Sequence, residues 1–225
     1  LDREKRLTRL PVAKEGLIFI LPSLFLSFLF SFLGVYSVAA FTVLLTLFFL
    51  YFFRNPRRPA TSGGGEILSA ADGRVMAVEE LFEGEFLREK ARRISIFMSI
   101  SDVHINRAPC EGSVERVEHR DGRFKLAFKK GIDEENERNY IVVRRNDEKF
   151  LLVQIAGFLV RRIVCYVREH DLVEKGEPVG MIAFGSRVDV YMPTSYRPAV
   201  EVGQKVKSGL TILAKKGGDN EKEKA

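Results

Sequence analysis

From Gly16 to Phe53 the chain carries no charged side chain. As one helix this run would extend about 57 Å, roughly twice the hydrocarbon thickness of a bilayer. One crossing helix is too long, and two fit. Gly34 supplies the break, which predicts helices over residues 16–33 and 35–53, each near the minimum spanning length. Pro22 is expected to kink the first helix, with Ser23, Ser27 and Ser31 marking its packing face. Basic residues flank the run on both sides: Arg3, Lys5, Arg6, Arg9 and Lys14 before it, Arg54, Arg57 and Arg58 after it. The positive-inside rule then places both ends in the cytoplasm, with the turn from Gly34 to Ser37 facing out. A shallow re-entrant hairpin would keep the same cytoplasmic ends. A cleaved signal peptide fits poorly, because the run is too long and is basic at both ends. The expectation is an integral protein of the cell membrane, with residues 1–15 and the domain that follows the run on the cytoplasmic side.

Residues 54–65 read as a linker, stiff and basic at Arg54-Asn55-Pro56-Arg57-Arg58-Pro59 and flexible at Gly63-Gly64-Gly65. A domain over residues 66–216 follows, and the charged stretch 217–225 reads as a disordered tail. The domain is expected to be mainly β. Ile94, Ile96, Met98 and Ile100 alternate with Ser95, Phe97 and Ser99. Val114–Glu118, Tyr140–Arg145, Phe150–Ile155 and Leu159–Val167 are rich in β-branched residues. Phe82–Lys90 is expected to hold a short helix or a lid. Val173-x-x-Gly176-x-x-Val179 recurs as Val200-x-x-Gly203-x-x-Val206. Such turns suggest a compact β-barrel or sandwich with biotinyl- or lipoyl-like hairpin repeats. Neither copy has a lysine at a hairpin tip, which argues against a swinging-arm carrier.

The net charge of +6 favours an anionic partner, and beside so apolar a segment lipid is expected rather than nucleic acid. Cys110 and Cys165 lack metal-ligand spacing and read as free thiols of a reducing compartment. His104, His119 and His170 form no His-x-His or His-x-x-x-His pair, so no metal site is expected.

Three polar clusters interrupt the apolar strands. Gly185-Ser186 follows an apolar lead and opens the alternating run Val188, Val190, Met192. Glycine tolerates a strained backbone, and the next hydroxyl can then attack its carbonyl if a base is near. Alone, such a pair is ordinary turn chemistry. The same holds for Asp72-Gly73. Residues 101–109 are denser, with the acid Asp102, the imidazole of His104, the amide of Asn106 and the guanidinium of Arg107 directly after a strand.

Together, Ala71-Asp72-Gly73, Asp102-Val103-His104-x-Asn106-Arg107-x-Pro109 and Phe184-Gly185-Ser186-Arg187-Val188-Asp189 resemble the phosphatidylserine decarboxylase family in its short bacterial and archaeal form. Tyr51-Phe52-Phe53-Arg54-Asn55-Pro56 is similar to the family's membrane exit, and the likeness runs from about residue 50 to 214. The resemblance implies self-cleavage between Gly185, which offers the carbonyl, and Ser186, the nucleophile. Ser186 would become a covalent pyruvoyl cofactor. His104 would be the base and proton donor, oriented by Asp72, with Asp102 in a secondary role. Arg107 and Arg187 would hold the substrate carboxylate or phosphate, or equally serve as structural ion pairs. The implied reaction turns a serine phospholipid, phosphatidylserine or archaetidylserine, into the ethanolamine lipid. Family likeness also implies a homodimer.

Two departures from the long form stand out. Phe184 and Arg187 replace its flanking Leu and Thr, and Arg107 replaces a second histidine. His104 is thus the only histidine in the motif, with His119 and His170 left as substitutes. The competing reading is a membrane-anchored barrel that acts as an adaptor or carrier without catalysis. A zinc peptidase is disfavoured by the histidine spacing.

Overall fold

In a computed structural model of the chain, the described residues are 10–59, 63–122, 136–157, 163–182 and 185–217. They form two compact units that divide between Arg57 and Arg58.

In the first unit, α1 (Leu17–Phe32) and α2 (Tyr36–Phe52) pack on each other as a hairpin. The break falls at Gly34, which takes φ 74°. The Val35 N–H donates to Phe30 O at 2.9 Å and the Gly34 N–H to Ser31 O at 3.2 Å. These bonds satisfy the last carbonyls of α1, and they need a left-handed residue that glycine adopts without a Cβ clash. The seam between the helices is small and hydroxylated, with Ser23, Ser27, Ala39, Thr42 and Thr46 buried. Ser31, expected on that face, is exposed instead, because it lies in the closing turn of α1. Phe25, Phe28, Phe32, Phe41 and Leu44 point outward and are exposed. Hydroxyls inside and aromatic rings outside suit a hydrocarbon solvent. Lys14–Phe32, 19 residues, is long and apolar enough to cross a membrane. At 17 residues α2 is also apolar but shorter.

Among the described residues, a side-chain bond ties the two helices, from Thr46 Oγ1 to Ser23 Oγ at 2.9 Å. Thr46→Val keeps the shape and removes the donor. It should lower the hairpin's stability by only about 0.6 kcal/mol, a shift of a degree or two in thermal unfolding in detergent.

The second unit is mainly β. Its first strands are β1 (Glu66–Leu68), β2 (Gly73–Glu83), β3 (Glu89–Met98), β4 (Ile105–Arg107) and β5 (Gly112–Arg120). Then come β6 (Arg138–Arg145), β7 (Glu148–Ile155), β8 (Ile163–Cys165), β9 (Leu172–Val173) and β10 (Pro178–Ile182). The last are β11 (Ser186–Pro193), β12 (Tyr196–Pro198), β13 (Lys205–Val206) and β14 (Ile212–Lys216). Eight strands make one sheet in the order β13-β2-β3-β11-β7-β6-β5-β9, and two three-stranded sheets, β1-β14-β12 and β4-β10-β8, complete the unit. Every named pairing is antiparallel.

The period-two pattern decides what is inside. Ile94, Ile96 and Met98 of β3, Val188, Val190 and Met192 of β11, and Phe150 and Leu152 of β7 enter the main core. Alternate residues Ala91, Tyr140, Val142, Leu151, Val153 and Ile155 form a second cluster with Phe86 and Leu87.

Two expectations change. Phe82–Lys90 is neither helix nor lid but the tip of the β2–β3 hairpin, where the Glu83 carboxylate accepts the Glu85, Phe86 and Leu87 N–H groups. Local side-chain capping there outcompetes a helical turn. Among the described residues of Leu159–Val167, Ile163–Cys165 is strand, and residues 158–162 lie outside the described residues. The valine–glycine echo holds for the turns themselves. Gly176 and Gly203 both take positive φ, and Glu177 and Gln204 return matching backbone and side-chain bonds to Glu174 and Glu201. The strands around the two turns then join different neighbours: β9 pairs with β5, β10 with β4 and β8, and β13 with β2. The likeness between the copies is established for the turns and no further.

Candidate active site

The Gly185–Ser186 bond lies where the chain leaves β10 and enters β11. Gly185 takes φ 60°, and a Cβ there would meet nothing within 4 Å. Backbone conformation, not crowding, is what calls for glycine at this position. Ser186 is the first residue of β11, fully buried opposite Met98 of β3. Its hydroxyl donates to the Met98 sulfur at 3.5 Å. Phe184 lies outside the described residues.

Pairing of β4 with β10 brings the histidine motif to the same place. His104 immediately precedes β4, and its carbonyl accepts the Ile182 N–H at 3.3 Å. The imidazole is buried, 1% exposed, with Nδ1 at 2.9 Å from the Asp102 carbonyl oxygen. A carbonyl only accepts, so Nδ1 carries the proton and Nε2 keeps the basic lone pair.

The expected carboxylate partners are engaged elsewhere. Asp72 does not bond the His104 ring. Both its oxygens accept from the Arg58 guanidinium, and the Ser208 N–H adds a further bond at 2.8 Å. Arg58 also donates to the Ser208 carbonyl at 2.9 Å. The Asp102 carboxylate takes the Ser99 N–H and hydroxyl, each at 2.7 Å, and so caps the turn after β3. Its backbone carbonyl, rather than its side chain, reaches the histidine.

The two arginines differ. Arg187 forks onto Asp189, two residues along β11, at 2.7 and 2.6 Å. Arg107 Nη1 donates to the Gly176 carbonyl at 2.9 Å. Burial and the charge of Arg58 push Arg107 down to about 10, with Asp72 offsetting part of the shift. His119 faces Asp121 and Glu137, and His170 sits at φ 73° in a turn. Among the described contacts neither reaches Ser186. Burial pushes the Cys110 thiol up to about 12, which makes it a poor nucleophile.

Sequence reasoning placed Arg58 in the basic exit and missed its bond to Asp72. Both partners are largely buried, with side chains 7% and 10% exposed. Burial works against the Asp72 carboxylate, but the bonds and charge of Arg58, with Ser208, outweigh it and hold the group below its ordinary pKa. A carboxyl depressed by folding adds stability that is complete above its unfolded pKa, about 3.9, and is lost as pH falls through the folded value. Arg58→Ala should therefore destabilise the β unit by about 3 kcal/mol near neutral pH. The gap to wild type should close in acid, where Asp72 is protonated in both. Thermal unfolding across a pH series checks this, and a gap independent of pH would rule out the pairing as its source.

Comparison with known proteins points one way. The family described as phosphatidylserine decarboxylase matches residues 45–214. A phosphatidylserine decarboxylase proenzyme of Syntrophus aciditrophicus is 44% identical over 204 residues, covering 90% of this chain and 96% of the relative. Those of Carboxydothermus hydrogenoformans and Desulfotalea psychrophila are 47% identical over 173 residues and 41% over 207. They cover 76% and 91% of this chain, and 81% and 96% of their own lengths.

Proposed function

This chain belongs to the phosphatidylserine decarboxylase family, and from that premise we propose that it decarboxylates a serine phospholipid with a pyruvoyl group made from its own Ser186. The observation that carries the reading is the Gly185–Ser186 bond, a left-handed glycine leading into a buried serine beside the histidine motif. The proenzyme names of the relatives support it.

Processing begins when His104 Nε2 takes the Ser186 hydroxyl proton. The Asp102 carbonyl holds the ring in the required tautomer, the task a carboxylate performs in a serine–histidine–aspartate triad. Ser186 Oγ bonds to the Gly185 carbonyl carbon as the peptide C–N bond breaks, leaving an ester and a free amine. Loss of the residue-186 α-proton expels the Gly185 carboxylate from Cβ. Water then replaces ammonia at Cα, and the new N-terminus is a keto-acyl group. Once formed, this group supplies an electron sink for the bond that releases carbon dioxide. In the same reading, His104 returns a proton to the product carbon. Asp72 and Arg58 hold the loop ahead of β2 and leave the imidazole to Asp102.

Gly34 and the apolar outer faces of α1 and α2 support a hairpin held in the bilayer, where the substrate resides, with basic flanks on the cytoplasmic side. Whether the lipid tails are diacyl or diether does not alter the head-group chemistry. Intact-mass measurement of the purified protein tests the proposal. Two fragments, 1–185 and a pyruvoyl-blocked 186–225, are expected. A single uncut chain in active membranes would favour the non-catalytic adaptor.

A further inference from the structure

A ladder of buried amides ends beside the reactive serine. Asn139 on β6 and Gln154 on β7 stand opposite each other, and Asn139 Nδ2 donates to Gln154 Oε1 at 2.9 Å. Gln154 Nε2 donates to Asn106 Oδ1 at 2.8 Å. Asn106 Nδ2 reaches the Met98 sulfur at 3.5 Å, and the Ser186 hydroxyl reaches that same sulfur at 3.5 Å. Asn106, Gln154 and Ser186 are fully buried, and Asn139 is 1% exposed.

The direction of the ladder follows from its last atom. A thioether has lone pairs and no proton to give, so the amide facing it must present its nitrogen. That orients Asn106, which orients Gln154, which orients Asn139. Room is made for it as well. Gly180 lies on β10, the strand that runs toward the cleavage point, and a Cβ there would stand 2.7 Å from Gln154 Nε2 and 2.6 Å from Val164 O. Apolar side chains of the same shape would fill this interior without the desolvation that buried amides cost. Hydrophobic packing alone gives no reason for the ladder.

We propose that Asn139, Gln154, Asn106 and Met98 position the Ser186 hydroxyl for self-cleavage; the proposal rests on the self-processing reading above. Sulfur is a weak acceptor, so it fixes the direction of the hydroxyl yet releases the proton readily to a base. Donating to sulfur also leaves both oxygen lone pairs for the neighbouring carbonyl carbon. Methionine has three rotatable bonds and wanders unless held, and the Asn106 N–H holds it. Asn106 and Met98 act through Ser186 and are positioning residues.

The test follows cleavage of newly made full-length chain in detergent over time, by gel and intact mass, alongside thermal unfolding. Met98→Leu is close to isosteric and should melt near wild type, while cleaving about tenfold more slowly because the hydroxyl loses its orientation. Asn106→Asp cannot donate to sulfur when ionised but regains an O–H when protonated. Its rate relative to wild type, measured at each pH on chain that thermal unfolding at that pH shows to be folded, should rise as pH falls, which separates positioning from a loss of folded protein. Met98→Leu cleaving within twofold of wild type would overturn the proposal. If that variant fails to fold, the Asn106→Asp ratio decides, and a flat ratio overturns it. Wild-type chain that stays uncut would instead sink the self-processing reading itself.

Discussion

Ser186→Ala should yield one uncut chain, folded and without detectable decarboxylase activity. Under the proposed mechanism the substitution removes two things at once: the oxygen that would attack Gly185, and the atoms from which the keto group would be made. No other side chain in the described site can replace both. Unfolding will not explain the loss, because the hydroxyl's one described bond is to a sulfur. Removing so weak a bond from a buried site costs at most about 1 kcal/mol, so the melting temperature should hold within a few degrees. Mass measurement and a carbon dioxide release assay on the same preparation check both halves. Cleavage of the alanine variant at the normal position would move the nucleophile elsewhere.

Replacing His104 with glutamine should slow processing by about 10²–10⁴-fold, the usual share of a general base. The reason lies in the carbonyl of Asp102, which commits Nδ1 to donate and leaves Nε2 as the basic atom. Glutamine fills similar space and can satisfy that carbonyl with its own N–H, so the turn from Ser99 to Asp102 should persist. It cannot take a proton at neutral pH. Any fraction that does cleave then reports on the second step, since its decarboxylation rate shows whether His104 also returns the proton. A fully active glutamine variant would transfer the base to another group.

Much of this was legible in order along the chain. An uncharged run too long for one crossing and broken by Gly34 predicts a helical hairpin, because helix geometry and backbone chirality act locally. Alternation in Ile94–Ile100 and Val188–Met192 predicts strands for the same reason. Where a short-range competitor intervenes, as Glu83 does at the β2–β3 tip, the local reading fails. The motif residues were visible as a dense polar cluster, but their bonding partners were not. Gln154 was passed over, because an amide inside an apolar strand carries nothing in the sequence to say what it meets.

By itself, the sequence determined the apolar hairpin and the mainly β character of the rest, and it marked Gly185–Ser186 and His104 as candidates for the site. The first two follow from residue type and short spacing, and the candidates from motifs that together resemble the family. Only the tertiary structure decided that Asp72 is held by Arg58, that Asp102 serves His104 through its backbone carbonyl, and that Asn139, Gln154, Asn106 and Met98 converge on Ser186. The amide and methionine contacts join β3, β4, β6, β7 and β11, and hydrogen bonding is directional. Which donor meets which acceptor therefore depends on sheet order and register, which periodicity does not encode.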